Sequence, residues 1–171
     1  MKQYTRLIIA LIVLLGIAGI FILYLSWPSL TGTTIVLALR PVDPFDPLRG
    51  QYIILNYDIS NIPSIPEAKE SNSVYITLKE DENKIWRLQE ASLTKPLQGI
   101  FIKGTIKSIY GSNRRVEYGI EQFFFERNAE LPRQDLTVEV KLSNSGQAII
   151  SNLLYQGKPV KIEYKKPSLT S

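Results

Sequence analysis

Residues 74–90 read VYITLKEDENKIWRLQE and contain a clear strand pattern. Apolar and polar side chains alternate along its first half, which puts Val74, Ile76 and Leu78 on one face of an extended segment. The polar run Asp81-Glu82-Asn83 interrupts the alternation before it resumes, and residues of this kind favour tight turns. The stretch therefore predicts a β-hairpin with one face buried and one face in water.

The same alternation recurs along most of the chain after Pro28. Further strands are predicted at 34–40, 51–59, 99–110, 136–142 and 160–164, with one more between the turns at 143–146 and 156–158. Turns rich in Gly, Asn and Ser are predicted at 111–113, 143–146 and 156–158. We expect the Pro- and Ser-rich stretch 62–73 to be an exposed loop and allow one short helical turn near 127–134. About eight short strands predict a mainly β fold, a small sandwich or a partly open barrel.

Leu7 to Leu25 reads LIIALIVLLGIAGIFILYL, nineteen residues without a charge. As a helix this segment spans about 28 Å, close to the thickness of a bilayer's hydrocarbon core. A cleaved signal peptide would have a shorter apolar run and a small-x-small site, and Tyr24 to Pro28 contains no such site. We predict a retained anchor at 1–28, a β domain at 29–165 and a disordered tail at 166–171.

The charges flanking this segment predict its orientation. Lys2 and Arg6 precede it, whereas the first basic residue beyond it is Arg40. The positive-inside rule then places the N-terminus in the cytoplasm and the β domain outside the cytoplasmic membrane.

Two missing residue types restrict the chemistry. The chain has no Cys and no His, so thiol nucleophiles, disulfides, Cys/His metal sites and Ser-His triads are excluded. The net charge of +4 is concentrated at the two termini, and no basic stripe interleaved with aromatics suggests nucleic-acid binding. We expect no cofactor, no metal and no catalytic activity. A Ser/Lys hydrolase resembling a type I signal peptidase is the enzymatic alternative, and it lacks an evident nucleophile.

Residues 40–57 read RPVDPFDPLRGQYIILNY. This segment differs from the alternating segments because its first eleven residues combine three prolines with four charged residues. Three prolines exclude a helix and hold Arg40, Asp43, Asp46 and Arg49 on a stiff loop. Gly50 suits a tight turn. The apolar strand after it has bulky side chains on both faces, which predicts a central strand of a sheet.

This segment resembles the motif that names the GDYxxLxY domain family of bacterial membrane-anchored proteins. Tyr52, Leu55 and Tyr57 match the motif after Gly50, whereas Gln51 stands where the motif has Asp. The resemblance extends to Val116-Glu117-Tyr118-Gly119-Ile120-Glu121 and covers most of 34–160 plus the anchor. The resemblance implies an architecture and no defined activity. The candidate interaction or structural residues are Arg40, Asp43, Asp46, Arg49, Gly50, Tyr52, Leu55, Tyr57, Tyr118, Gly119 and Glu121.

Two interpretations of the charged loop remain open. It is either an ion-paired corner of the fold or a recognition surface in which Arg40 and Arg49 grip an acidic group. Phe123-Phe124-Phe125 is predicted to be buried. We expect an accessory or scaffold protein that contacts another membrane protein; the alternative is a binding module for a small anionic ligand or an envelope polymer.

Overall fold

The computed structural model describes residues 2–40, 52–124, 129–130, 135–160 and 163–164. Its first element is the helix α1, Lys2–Thr31. Within it, Tyr4–Tyr24 is long and apolar enough to cross a membrane, and none of this stretch is buried against the rest of the protein. Gly32 alone separates α1 from the first strand.

The described part of the chain after α1 is built from strands and one short 3-10 turn. The strands are β1 (Thr33–Ala38), β2 (Tyr52–Ile54), β3 (Asn61–Pro63), β4 (Ser73–Glu80), β5 (Trp86–Ser92), β6 (Ile100–Tyr110), β7 (Asn113–Glu117), β8 (Gln122–Phe124), β9 (Ala129–Glu130), β10 (Leu136–Leu142), β11 (Ala148–Tyr155), β12 (Lys158–Pro159) and β13 (Glu163–Tyr164). The 3-10 turn η1 is Asp58–Ser60. The predicted mainly β fold behind one apolar N-terminal helix is confirmed.

Nine of these strands form one mixed sheet in the order β12-β11-β10-β1-β5-β4-β6-β7-β3. The strand that follows the helix, β1, is antiparallel to β10 and parallel to β5. The sheet curls so that the β10–β11 turn reaches β6, where the Lys103 N–H donates to the Gly146 carbonyl at 2.8 Å. The sheet is not closed into a barrel.

The core follows the alternation seen in the sequence. Val74, Ile76 and Leu78 are buried on β4, as predicted. The predicted hairpin of β4 and β5 is also present, and the Asp81 carboxylate closes its turn by accepting hydrogen bonds from the N–H groups of Asn83 and Ile85. The alternation of apolar and polar residues was sufficient to predict this hairpin, because both strands and their turn are contiguous in the chain.

The expectation for 62–73 was partly right, and the one for 127–134 was wrong. Most of 62–73 is exposed and residues 64–72 form neither helix nor strand, but Asn61–Pro63 pairs with β7 and both Ile62 and Ala68 are buried. The helical turn near 127–134 is also absent where the structure describes it, since Ala129–Glu130 pairs with β13 as a strand. In both places a partner distant in sequence supplies the backbone hydrogen bonds that local composition could not reveal.

The predicted central strand at 51–59 was also wrong. Within the described residues, β2 pairs with β8 in a separate two-stranded ribbon, and the chain then turns through η1. Ile54 and Phe124 lie on the outer face of this ribbon and are 53% and 69% exposed, so the predicted burial of Phe124 fails too. Phe123 packs against the core, because successive side chains of a strand point to opposite faces.

Candidate functional site

Two buried tyrosines join the two halves of the sequence motif. Tyr57 and Tyr118 pack edge to face, with ring centroids 6.4 Å apart. The Tyr57 hydroxyl donates to the Ile120 carbonyl at 2.6 Å, and the Tyr118 hydroxyl donates to the Ile59 carbonyl. Each tyrosine therefore bonds to the backbone beside the other, and the pair locks residues 57–59 to residues 118–120.

Glu121 closes the turn that follows Tyr118. Its carboxylate accepts hydrogen bonds from the N–H groups of Tyr118 and Gly119. Gly119 has φ +82°, a conformation that glycine adopts without a steric penalty. The Glu121 carbonyl accepts the N–H of the buried Leu55 at 2.7 Å, which ties the turn to the first motif. The two motif segments thus form one interlocked unit.

Burial controls the protonation of both phenols. It raises the pKa of Tyr57 and of Tyr118 well above the ordinary value for tyrosine, and the nearby Glu121 charge raises both further. Both hydroxyls therefore remain protonated donors at neutral pH. Their chemical role in this arrangement is to hold carbonyl oxygens rather than to act as bases.

Arg40 lies just beyond β1 and begins a chain of alternating charges. Its Nε lies 3.5 Å from Asp58 Oδ1, while Arg87 contacts the other oxygen of Asp58. The Arg87 Nε in turn lies 3.1 Å from Asp81 Oδ2. The pKa of Asp81 is lowered, first by the hydrogen bond from the Ile85 N–H, with further contributions from Arg87 and from the Asn83 N–H. The charges link the end of β1, η1, β5 and the β4–β5 turn.

A polar cleft of about 210 Å³ lies beside this chain of charges. Its lining residues are Arg40, Asn56, Tyr57, Ser60, Asn61 and Arg115. Arg115, on β7, donates from Nη2 to Asn56 Oδ1 at 3.1 Å, and its neighbour across the strand pair is Asn61 on β3. The cleft thus carries two guanidinium groups and two amides, and none of these six lining residues is acidic.

The structure brings together six of the candidate residues predicted from the sequence. They are Arg40, Leu55, Tyr57, Tyr118, Gly119 and Glu121. Tyr52 lies in β2, where its backbone pairs with Phe124. Asp43, Asp46, Arg49 and Gly50 lie outside the described residues. The acidic partner of Arg40 that the structure describes is Asp58, which is not on the predicted loop.

Sequence reasoning missed several residues of the site. They are Asn56, Asp58, Ser60, Asn61, Asp81, Arg87 and Arg115. Asp58 directly follows the Tyr57 motif position, which was a usable signal. Nothing local indicates that Arg40 and Arg115 line the same cleft. Among the described residues, no group of three or more His, Cys, Asp or Glu side chains could hold a metal ion.

The family model described as GDYXXLXY protein matches residues 14–153. The match begins inside α1, includes the tyrosine pair and the cleft, and ends within β11. No curated protein and no solved structure matches the chain.

Proposed function

This chain belongs to the GDYXXLXY family, and we propose that it is a membrane-anchored accessory or scaffold protein of the cell envelope. In this proposal the β domain catalyses no reaction and contacts another membrane protein. The domain lies outside the cytoplasmic membrane, because Lys2 and Arg6 flank the cytoplasmic end of the helix.

The observation that carries this proposal is the direct join between helix and sheet. After the apolar stretch ends at Tyr24, α1 continues for seven residues to Thr31, a rise of about 10 Å. Gly32 follows, and β1 begins at Thr33 inside the nine-stranded sheet. Because the connection is a single residue, the domain cannot move far from the end of the helix. A membrane protein beside the anchor is therefore within reach of this domain, which supports a partner in the same membrane.

Two features of the site support a role without catalysis. The tyrosine hydroxyls and the Glu121 carboxylate already bond to backbone groups, so they serve the fold. Ser60 is the buried serine at the cleft, and its neighbours in the lining are arginines, amides and a tyrosine rather than a lysine. This composition does not suit the Ser/Lys alternative, in which a lysine amine activates the serine.

The experiment changes the distance between the domain and the bilayer. A flexible Gly/Ser segment of about 20 residues, inserted after Gly32, would let the domain move tens of ångströms from the membrane. We expect the unaltered chain to co-purify with a membrane protein from detergent-solubilised membranes after cross-linking, with the partner identified by mass spectrometry. The insertion should abolish that capture.

The matched control places the same segment between Gly111 and Ser112, in the exposed turn before β7. This variant keeps the join at Gly32 and should still capture the partner. Equal capture by the chain with the insertion after Gly32, or no membrane protein enriched by the unaltered chain, would refute the proposal.

A further inference from the structure

We propose that the cleft between Arg40 and Arg115 is a binding site for a carboxylate group. This goes beyond the accessory role, since it assigns a ligand chemistry to a specific surface and stands whether or not a protein partner exists.

The lining of the cleft provides donors suited to an oxyanion. Each guanidinium carries five N–H donors in a planar fork that matches the two oxygens of a carboxylate. The amides of Asn56 and Asn61 and the Ser60 hydroxyl add further donors along the wall. A carboxylate entering between the arginines would therefore meet donors on several sides.

Both arginines retain donors for a ligand. Arg115 is exposed, its described hydrogen bond goes to a neutral amide, and it forms no ion pair with another described residue. Arg40 contacts Asp58 at 3.5 Å, and Asp58 is shared with Arg87. An incoming carboxylate would thus give Arg115 an ion-pair partner and would add a second one to Arg40 beside Asp58.

Donor geometry, rather than net charge, favours a carboxylate. Among the described residues, the guanidiniums of Arg40, Arg87 and Arg115 are balanced by the carboxylates of Asp58, Asp81 and Glu121, and the Glu121 charge acts on Tyr57 in the lining. The planar fork of a guanidinium matches the two coplanar oxygens of a carboxylate.

The fold also fixes the walls of the cleft before any ligand arrives. Asn56 accepts the Arg40 N–H through its backbone carbonyl, and the Tyr57 and Tyr118 hydroxyls hold the segment that contains Ser60. Arg115 and Asn61 face each other in the β3–β7 pair. The backbone that carries these donors is therefore ordered before binding, and the remaining entropic cost is that of immobilising the two arginine side chains.

The carboxylate could belong to a small molecule or to an acidic residue of the protein partner. Calorimetric titration of the purified full chain in detergent micelles with acetate, with N-acetylglutamate and with inorganic phosphate tests the shared chemistry. We expect saturable binding of both carboxylates below about 50 mM, and weaker binding of phosphate.

Two substitutions assign this binding to the cleft. Arg115→Gln should weaken carboxylate binding about tenfold, since it removes a charged hydrogen-bonding group. Lys107→Gln removes one positive charge from the neighbouring strand β6 and should leave binding unchanged. Circular dichroism and thermal unfolding of Arg115→Gln establish that the variant is folded.

The outcomes separate the two sources of the carboxylate. Loss of partner capture by Arg115→Gln would assign the site to an acidic residue of the partner, whereas unchanged capture together with weakened acetate binding would assign it to a small carboxylate. Absence of saturable carboxylate binding, equal weakening by Lys107→Gln, or tighter binding of phosphate would overturn the proposal. The calorimetric titrations use no partner protein. They therefore test the carboxylate site even if the proposed accessory role is wrong.

Discussion

Tyr57 and Tyr118 are polar side chains within a core that is otherwise mainly aliphatic. An unpaired buried polar group costs stability, and these hydroxyls avoid that cost by donating to carbonyls of residues about sixty positions away. Their hydrogen bonds and ring contact hold the two motif segments together. The two motif tyrosines are therefore needed to pack the two segments against each other.

The tyrosines give the protein a specific response to alkaline pH. An unfolded tyrosine loses its proton near pH 10, whereas burial raises the pKa of Tyr57 and of Tyr118 in the folded state. Above pH 10 the unfolded chain therefore holds fewer protons, and the free energy of unfolding falls by about 1.4 kcal/mol per pH unit for each phenol. We expect Tyr57→Phe to reduce this slope, while destabilising the protein at pH 7 by about 1–3 kcal/mol because the Ile120 carbonyl loses its donor.

The measurement is urea unfolding of the full chain in micelles at pH 7 and at several values above pH 10. Tyr110→Phe is the matched control, since Tyr110 is exposed and its substitution should change neither quantity. A Tyr57→Phe variant with the parental slope would contradict the role of burial.

Among the secondary-structure elements, β6 lies between β4 and β7 and packs tightly against β7 at Gly104. An added Cβ at Gly104 on β6 would meet Val116 Cγ1, the Glu117 carbonyl at 2.9 Å and Tyr118 Cδ1 at 2.9 Å. The absence of a side chain at Gly104 thus allows β7 to bring Tyr118 into the core. The strand pairing and the tyrosine pair depend on the same glycine.

We expect Gly104→Ala to lower the free energy of unfolding by about 1–3 kcal/mol, because backbone and core side chains would have to move apart. Gly157→Ala is the matched control, since Gly157 has φ +76° and open space around it. That substitution should cost only about 1 kcal/mol, through its left-handed backbone. Urea midpoints of the two variants compare these costs, and a smaller loss for Gly104→Ala than for Gly157→Ala would refute the steric argument.

At the scale of the whole molecule, one helix suited to a bilayer leads directly into a curled nine-stranded sheet. The positive-inside rule uses Lys2 and Arg6 to predict which side of the membrane holds this sheet. The absence of cysteine makes the orientation measurable, because any cysteine introduced is the sole thiol in the chain.

We expect Ser112→Cys, in the exposed turn before β7, to react with a membrane-impermeant maleimide in intact spheroplasts. Gln3→Cys should react only after the cells are lysed, since the N-terminus is predicted to be cytoplasmic. Labelling of both variants after lysis is the control for reactivity. The reverse pattern in intact spheroplasts would contradict the predicted orientation.

Features that depend on neighbours along the chain can be predicted from its residues alone. The nineteen uncharged residues predict α1, since a helix inserted in a bilayer needs a continuous apolar length. Alternation predicts β4, β6 and β10, and polar or glycine-rich runs predict the turns between successive strands. The motif residues also place Tyr57 and Tyr118 in one family pattern.

Contacts between distant segments depend on the complete fold and cannot be inferred from local patterns. It placed β1 between β10 and β5, separated β2 from the main sheet, and gave Arg40 its partner Asp58 and its cleft neighbour Arg115. The alternation along a strand specifies which side chains share a face, but strand pairing depends on packing against segments far away in sequence. The anchor and the strand pattern are therefore readable from the chain, whereas the cleft exists only once the sheet has curled and the tyrosines have joined residues 57–59 to residues 118–120.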